Sequence, residues 1–228
     1  MNRLLAALNP DERATLALRE ADFDAGHVLC DAGQSLDDAY FPLDAIVSHS
    51  AGHDDGGTVE TGTIGREGLV AVPAVIGDGI SYERAVVQVP GRIIIASAAS
   101  IREKLGRDAD FRRLIGAFAQ AYAAQVAQSV VCNATHPNEA RLSRWLLMCL
   151  DRTGRSTLPL STRFIAEMLG VSRPMVSIIA GTLQTAGLIR LGPDGVTILD
   201  RASLEEAACD CYRRVCDALD RLLPGSYA

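Results

Sequence analysis

No run of about 18 consecutive apolar residues occurs in this 228-residue chain, so no membrane-spanning helix is expected. The stretch Met1 to Glu20 lacks the basic start and apolar core of a signal peptide. It reads as a charged amphipathic helix carrying Leu4, Leu5, Leu8, Leu16 and Leu18, and a cytoplasmic location is the expectation. No Ser/His/Asp set, metalloprotease helix or phosphate loop is present, so an enzyme is not expected and no catalytic residue is assigned. An excess of basic charge is missing too: 22 Lys and Arg stand against 28 Asp and Glu. The deficit is uneven. Residues 1–136 hold 11 basic and 18 acidic side chains, residues 137–228 hold 11 and 10, and within 137–200 the balance is 7 against 5. A nucleic-acid surface is therefore compatible only with the C-terminal part, and its non-specific phosphate attraction should be modest.

From Ala21 to about Ala98 short apolar stretches alternate with Gly, Pro and Asp turns. They are His27-Val28-Leu29, Tyr40-Phe41, Ala45-Ile46-Val47, Thr58-Val59, Leu69 to Val72, Ala85 to Val89 and Ile93-Ile94-Ile95. Regular spacing of this kind predicts a barrel or sandwich. The period then turns helical. A short helix is expected over Ser100–Leu105, and a long one from Asp110 to about Val131. On the long helix Phe111, Ile115, Phe118, Tyr122, Val126 and Val130 recur at steps of three and four, and alanines flank them. This stripe is expected to pair with its own copy in a two-fold dimer. Thr135-His136-Pro137 ends the helix, since Pro disfavours helix in the residue before it, and marks a hinge. A further helix over Glu139–Asp151 should turn Leu142, Trp145, Leu146 and Cys149 inward, and a last helix is expected over Ser203–Leu223.

The segment 161–200 is the most informative. A short helix from Thr162 to Leu169 is followed by Gly170-Val171, which permits a sharp turn. Ser172 is placed to cap the next helix and Pro174 falls in its first turn, where a missing N–H is harmless. That helix, about 173–186, sends Val176, Ile179 and Leu183 inward and Arg173, Ser177 and Gln184 outward. Leu188-Ile189-Arg190, the turn Gly192 to Gly195, and Val196 to Leu199 then form a two-stranded wing. Helix, tight turn, capped helix and wing make a winged helix-turn-helix, whose second helix enters the DNA major groove. Arg173 suits a bidentate contact to guanine and Met175 a thymine methyl. Ser161, Thr162, Arg163, Ser172 and Ser177 suit the phosphate-facing positions around them.

Six cysteines are present. In an intracellular chain they read as free thiols, packing as small apolar side chains. Cys132 and His136, four apart, share a helical face and would suit a soft metal or a redox role. Cys209 and Cys211, with Cys216 beyond, would diverge on a continuous helix, which argues against joint chelation. No metal site and no cofactor are expected.

These parts, in this order, resemble the Crp/Fnr family of bacterial transcription regulators. The resemblance rests on Gly26-His27-Val28-Leu29 through Gly33, on Gly62-Thr63-Ile64-Gly65-Arg66-Glu67-Gly68, on Arg141 to Leu147, and on Ile165 to Arg173. It implies an α+β chain: a cyclic-nucleotide-binding-like β-roll over 1–106, a dimerisation helix and hinge over 107–136, and a winged helix-turn-helix over 137–228. It also implies a homodimer on double-stranded DNA, RNA polymerase as a further partner, and a small-molecule effector. Family members that bind cyclic AMP hold its phosphate with Arg followed by Ser or Thr, and its ribose with Glu after Gly. Here the corresponding residues are Arg84-Ala85 and Arg66-Glu67, a degenerate pocket, so the effector is unknown and not expected to be cyclic AMP. No cysteine precedes Cys30, unlike the iron–sulfur branch, and no histidine stands out as a heme ligand. In the second helix, Pro174 and Ile178 replace the family's base-reading Glu and Arg, so its usual half-site does not carry over. The alternative is a small-molecule or redox-sensing signalling module whose helical domain binds protein rather than DNA.

Overall fold

The computed structural model describes residues 1–52 and 58–224. Two short helices open the chain, α1 (Arg3–Ala6) and α2 (Pro10–Ala14), in place of the single amphipathic helix expected over Met1–Glu20. The break has a local cause. Asn9 forms a capping box with Glu12 ahead of Pro10, so a new helix must start there. Asn2 is buried: its side-chain oxygen caps α1, and its amide donates to the carbonyls of Pro42 (3.0 Å) and Gly68 (2.8 Å).

Then come β1 (Arg19–Phe23), β2 (Val28–Cys30), β3 (Asp38–Pro42), β4 (Ile46–Gly52), β5 (Thr58–Ile64), the short helix α3 (Val72–Ile76), β6 (Arg84–Val89) and β7 (Gly91–Ser97). They form two antiparallel sheets, of order β1-β7-β3 and β2-β6-β4-β5. Strand alternation sends Val47, Ala85 and Val87 into the core with Phe41 and Ile93, and turns Ser48, Ser50, Glu60 and Gln88 to the outer face. One expected strand is absent. Val70 makes only an isolated bridge to Tyr40, and Pro73 starts α3 where a strand would have needed its N–H.

Next follow α4 (Ala98–Arg107) and α5 (Ala109–Thr135), a 27-residue helix about 40 Å long. The stripe expected to form the dimer seam lies elsewhere. Phe111, Ile115 and Phe118 are buried in the roll's own core, Tyr122 packs beside them, and Val126 is half-buried. The roll approaches α5 so closely that a Cβ on Gly68 would sit 2.3 Å from the Phe118 ring. The periodicity correctly marks a buried face, but the surface covering it belongs to the same chain.

The C-terminal part runs α6 (Asn138–Thr153), β8 (Thr157–Leu158), α7 (Thr162–Leu169), α8 (Arg173–Thr185), β9 (Ile189–Gly192), β10 (Gly195–Ile198), α9 (Arg201–Ala207) and α10 (Cys211–Leu222). The final helix expected over Ser203–Leu223 is thus two helices. Ala208 is extended (ψ 152°), and Cys209 lies in the break. Val215 and Leu219 of α10 return to the first core, against α5. A second core gathers Leu142, Trp145, Leu146, Ile165, Leu169, Val176, Ile179, Leu183 and Val196, and takes in Ile46 and Val89 from the roll. No single helix among the described residues is long and apolar enough to cross a membrane.

The junction between the two cores is polar and buried. Arg152 of α6 donates from Nε to Glu67 Oε1 (2.8 Å), from Nη2 to Gln125 Oε1 of α5 (2.9 Å), and from Nη1 to the Thr63 hydroxyl of β5. Gln125 returns a bond to the Thr63 carbonyl (2.9 Å). The side chains of Arg152 and Glu67 are each only 2% exposed. Gly65 makes room, since a Cβ there would lie 2.8 Å from Arg152 Cδ. A second contact is Trp145, the chain's single tryptophan, whose Nε1 donates to Glu60 Oε1 (3.0 Å) while Ser48 donates to Oε2 (2.6 Å). Burial pushes the Glu60 carboxyl up to about 7, against the opposing pull of Ser48, Arg144, Trp145 and Arg152.

Two outcomes follow from this junction. Arg152→Met is expected to cost about 3–5 kcal/mol, because it strands the Glu67 charge, and Glu67→Leu added to it should restore much of the loss. Urea midpoints check both, and a loss of only about 0.5 kcal/mol, as at a surface site, would contradict the buried pair. For Glu60 the folded state holds its proton more tightly than the unfolded state. Its contribution to stability is therefore full below the unfolded value near 4.5 and declines as pH rises toward about 7. Thermal midpoints should fall over that range by a larger amount in the parent than in Glu60→Gln, with Trp145 emission shifting over the same interval. Identical pH profiles for the two proteins would refute it.

Candidate nucleic-acid interface

Helices α7 and α8 meet at 96°, the geometry of a helix-turn-helix. Ser161 caps α7 by accepting from the Phe164 N–H (3.2 Å). Gly170 ends that helix at φ +67°, a conformation that favours glycine, and the Val171 N–H closes the turn onto the Ala166 carbonyl (3.0 Å). Ser172 occupies the cap position of α8 with extended backbone, and Pro174 falls in the first turn as expected. The Ser172 hydroxyl makes no capping bond, however. Its carbonyl accepts the Met175 and Val176 N–H groups instead, which leaves the exposed hydroxyl unused by the cap.

The first two turns of α8 present Arg173, Pro174, Met175, Ser177 and Ile178 to solvent, while Val176, Ile179, Ala180 and Leu183 are buried. Arg173 makes no ion pair among the described residues. Ser161 is exposed and Thr162 half-buried. Arg163 is exposed but paired with Glu167 of its own helix (2.8 Å), so a phosphate would have to compete for it. The wing is present as β9 and β10, paired from Ile189↔Ile198 to Gly192↔Gly195 around a two-residue turn. Strand β8 adds a third member that sequence patterning did not indicate, being only two residues long. Gln184 faces outward, yet its side-chain oxygen accepts from the Leu191 N–H (2.9 Å) and fastens α8 to the wing. Arg190, on β9, is exposed without an ion pair among the described residues and joins the candidate set. Its place in a strand pattern, rather than on the second helix, left it unmarked.

The two residues expected to remain from an effector pocket do not converge. Glu67 is consumed by Arg152 in the buried junction. Arg84 lies on the outer side of the roll, paired with Asp31 (2.9 Å) and exposed. Between the sheets and α5 the chain places its own polar cluster. Glu83 accepts from Tyr122 (3.0 Å) and from the Thr61 hydroxyl, and pairs with His49 Nδ1 (3.1 Å). Burial raises its carboxyl, but the bonds from His49, Thr61 and Tyr122 prevail and hold it down at about 2. A fixed carboxylate there is a poor neighbour for a phosphate. Arg84 and Arg163, assigned to different sites by sequence, both line one cavity of about 560 Å³ between the outer face of the four-stranded sheet and α7. Glu60, Phe164 and Gln88 share its wall, and the buried Gln88 Oε1 has no hydrogen-bond partner among the described residues.

Comparison with known proteins agrees with this geometry. Residues 140–207 match the model of the Crp-like helix-turn-helix domain. Among solved structures, FixK2 from Bradyrhizobium japonicum superposes with a TM-score of 0.72 at 16% identity, over 85% of this chain and 98% of that one. A CRP-family transcriptional regulator from Thermus thermophilus, TTHB099, gives 0.66 at 20% identity, over 82% and 96%. CLP from Xanthomonas campestris, described as a c-di-GMP-responsive global regulator, gives 0.62 at 19% identity, over 83% and 98%. A comparison with curated proteins gives no match. With the turn, the wing and the roll all in place, the chain carries a Crp-like helix-turn-helix domain and has the fold of the Crp/Fnr family of transcription regulators.

Proposed function

We propose that the chain is a sequence-specific DNA-binding regulator that acts as a homodimer, with α8 in the major groove and the wing beside the backbone. The observation that carries this reading is the exposed face Arg173, Met175 and Ser177 on the first turns of α8, supported from below by a fully apolar inner face. A guanidinium there can reach guanine O6 and N7, and Met175 can touch a thymine methyl. Ser161, Thr162, Arg163, Ser172 and Arg190 are placed for phosphate oxygens around it.

The dimer surface is assigned to the outward side of α5. Gly116, Gln120, Ala123, Ala127, Val130 and Ala134 are all exposed and recur at steps of four, three, four, three and four. Small residues on this seam let two helices approach closely, and Val130, 66% exposed, gains most from being covered. Cyclic AMP is not favoured as the effector, because Glu67 and Arg84 point to different places and Glu83 occupies the interior.

DNA selected from a random pool supplies the cognate site for the test. Arg173→Ala is expected to weaken binding to it by about 1–3 kcal/mol and to relax preference at one base position. Unchanged affinity and preference would remove α8 as the reader. Ala123→Glu with Ala127→Glu should yield a folded monomer by sedimentation, since like charges would face each other across the two-fold seam. A dimer that survives both changes would place the interface elsewhere.

A further inference from the structure

The break between α9 and α10 has a chemical consequence. On a continuous helix Cys209 and Cys211 would point apart. In the broken segment their thiols turn toward the end of α5, where Cys132 and His136 stand one helical turn apart. Cys132 Sγ lies 3.5 Å from Cys209 Sγ, and Cys211 Sγ lies 3.5 Å from His136 Nδ1. One ligand atom from each of the four residues falls within 4.8 Å of every other. A tetrahedral ion with metal–sulfur bonds of about 2.3 Å holds its thiolate sulfurs roughly 3.8 Å apart, so these spacings need only small adjustments.

We propose that Cys132, His136, Cys209 and Cys211 form a closed Cys3His site for one zinc ion, which fastens the α9–α10 segment to the hinge end of α5. Three soft thiolates and one imidazole are a standard structural donor set for zinc, and four protein ligands leave no position for water or substrate. Binding deprotonates three thiols and leaves the imidazole neutral, so three protons are released as the ion enters.

Surrounding groups fit the outer layer of such a site. Asp210 Oδ1 lies 3.8 Å from His136 Nε2, too long for a hydrogen bond, but a small shift would make it the carboxylate partner of a ligating histidine. Gln128 Nε2 donates to Cys211 Sγ (3.1 Å). Zinc with three thiolates carries one net negative charge, and a cation stands ready for it. Arg144 on the adjoining face of α6 is buried at 6% exposure, makes no ion pair among the described residues, and has an Nε without a hydrogen-bond partner. Its Nη1 reaches Met148 Sδ (3.8 Å) and its charge acts on both Glu60 and Cys132, so an anionic cluster here would give this buried guanidinium a further charged neighbour. The location gives the ion its role. His136 directly precedes Pro137, where α5 ends and α6 begins, so the site bridges the hinge and the segment that follows the wing.

The test uses the full chain, purified under reducing conditions and loaded with zinc or, separately, with cobalt. The expected result is about one tightly held ion per chain by metal analysis, and in the cobalt form the intense visible bands of tetrahedral coordination with thiolate charge transfer. Cys132→Ser with Cys209→Ser should lose the ion and the bands, whereas Cys216→Ser, outside the cluster, keeps both. His136→Ala, which leaves the buried thiols in place, guards against misfolding of the double variant and should release zinc to a competing chelator at least tenfold more readily than the parent. The proposal is overturned if the reduced protein binds no stoichiometric metal, if the double variant retains it, or if the natural state is a Cys132–Cys209 disulfide, seen as the loss of two hydrogens in the intact mass.

Discussion

Everything in this molecule is arranged around the buried pair Arg152–Glu67. One guanidinium draws its partners from three places: the loop after β5, the hydroxyl of Thr63, and Gln125 on the long helix. A charge taken this far from water is costly unless it is paired, so the contacts of Arg152 favour one relative position of the three elements. Helix α6 carries that arginine at its C-terminal end and Trp145 two turns earlier, and both grip the roll. The helix-turn-helix, built directly on α6, thus has its orientation tied to the roll. Rigid coupling of this kind is what a regulator needs if a change in the roll is to move a recognition helix.

Local signals made the helix-turn-helix legible. The Gly170 turn, Pro174 in the first turn and the spacing of Val176, Ile179 and Leu183 each act within a few residues, and the structure places them as the pattern implies. The cap expected of Ser172 is not made by its hydroxyl, and the capping bond of Ser161 on α7 went unmarked. Most of the roll strands were legible for the same reason. Questions of which surface covers which were not. The stripe Phe111, Ile115, Phe118 states that α5 has a buried side, but periodicity is silent on whether a sheet or a second helix lies against it. The alanines of the proposed outward seam were visible in the sequence as well, but they were read together with the large apolar stripe that the roll covers. Glu67 read as the remnant of an effector pocket and Arg152 went unmarked, because burial of an ion pair depends on partners 27 to 89 positions away. The thiol cluster was obscured by a helix break at Ala208 that carries neither Gly nor Pro.

The acidic balance of the chain and its proposed DNA affinity are reconciled by position. Excess acid sits in the roll, while Arg173 and Arg190 are exposed without an ion pair among the described residues on the face that would meet the duplex. With so few cations, binding by one copy would be weak and only shallowly salt-dependent. Two copies joined along α5, as proposed, would double the contacts and fix the distance between two readers, so specificity would depend on the dimer as much as on the bases touched by each helix.

That dependence gives the most direct measurement. Hydroxyl-radical and guanine-methylation footprints of the full chain on its selected DNA should show two equivalent major-groove contacts on one face of the duplex, about 34–36 Å or one helical turn apart from centre to centre. A single protected patch, protection confined to the minor groove, or no discrete footprint would contradict the account of a dimeric winged helix-turn-helix held in register by the Arg152 junction.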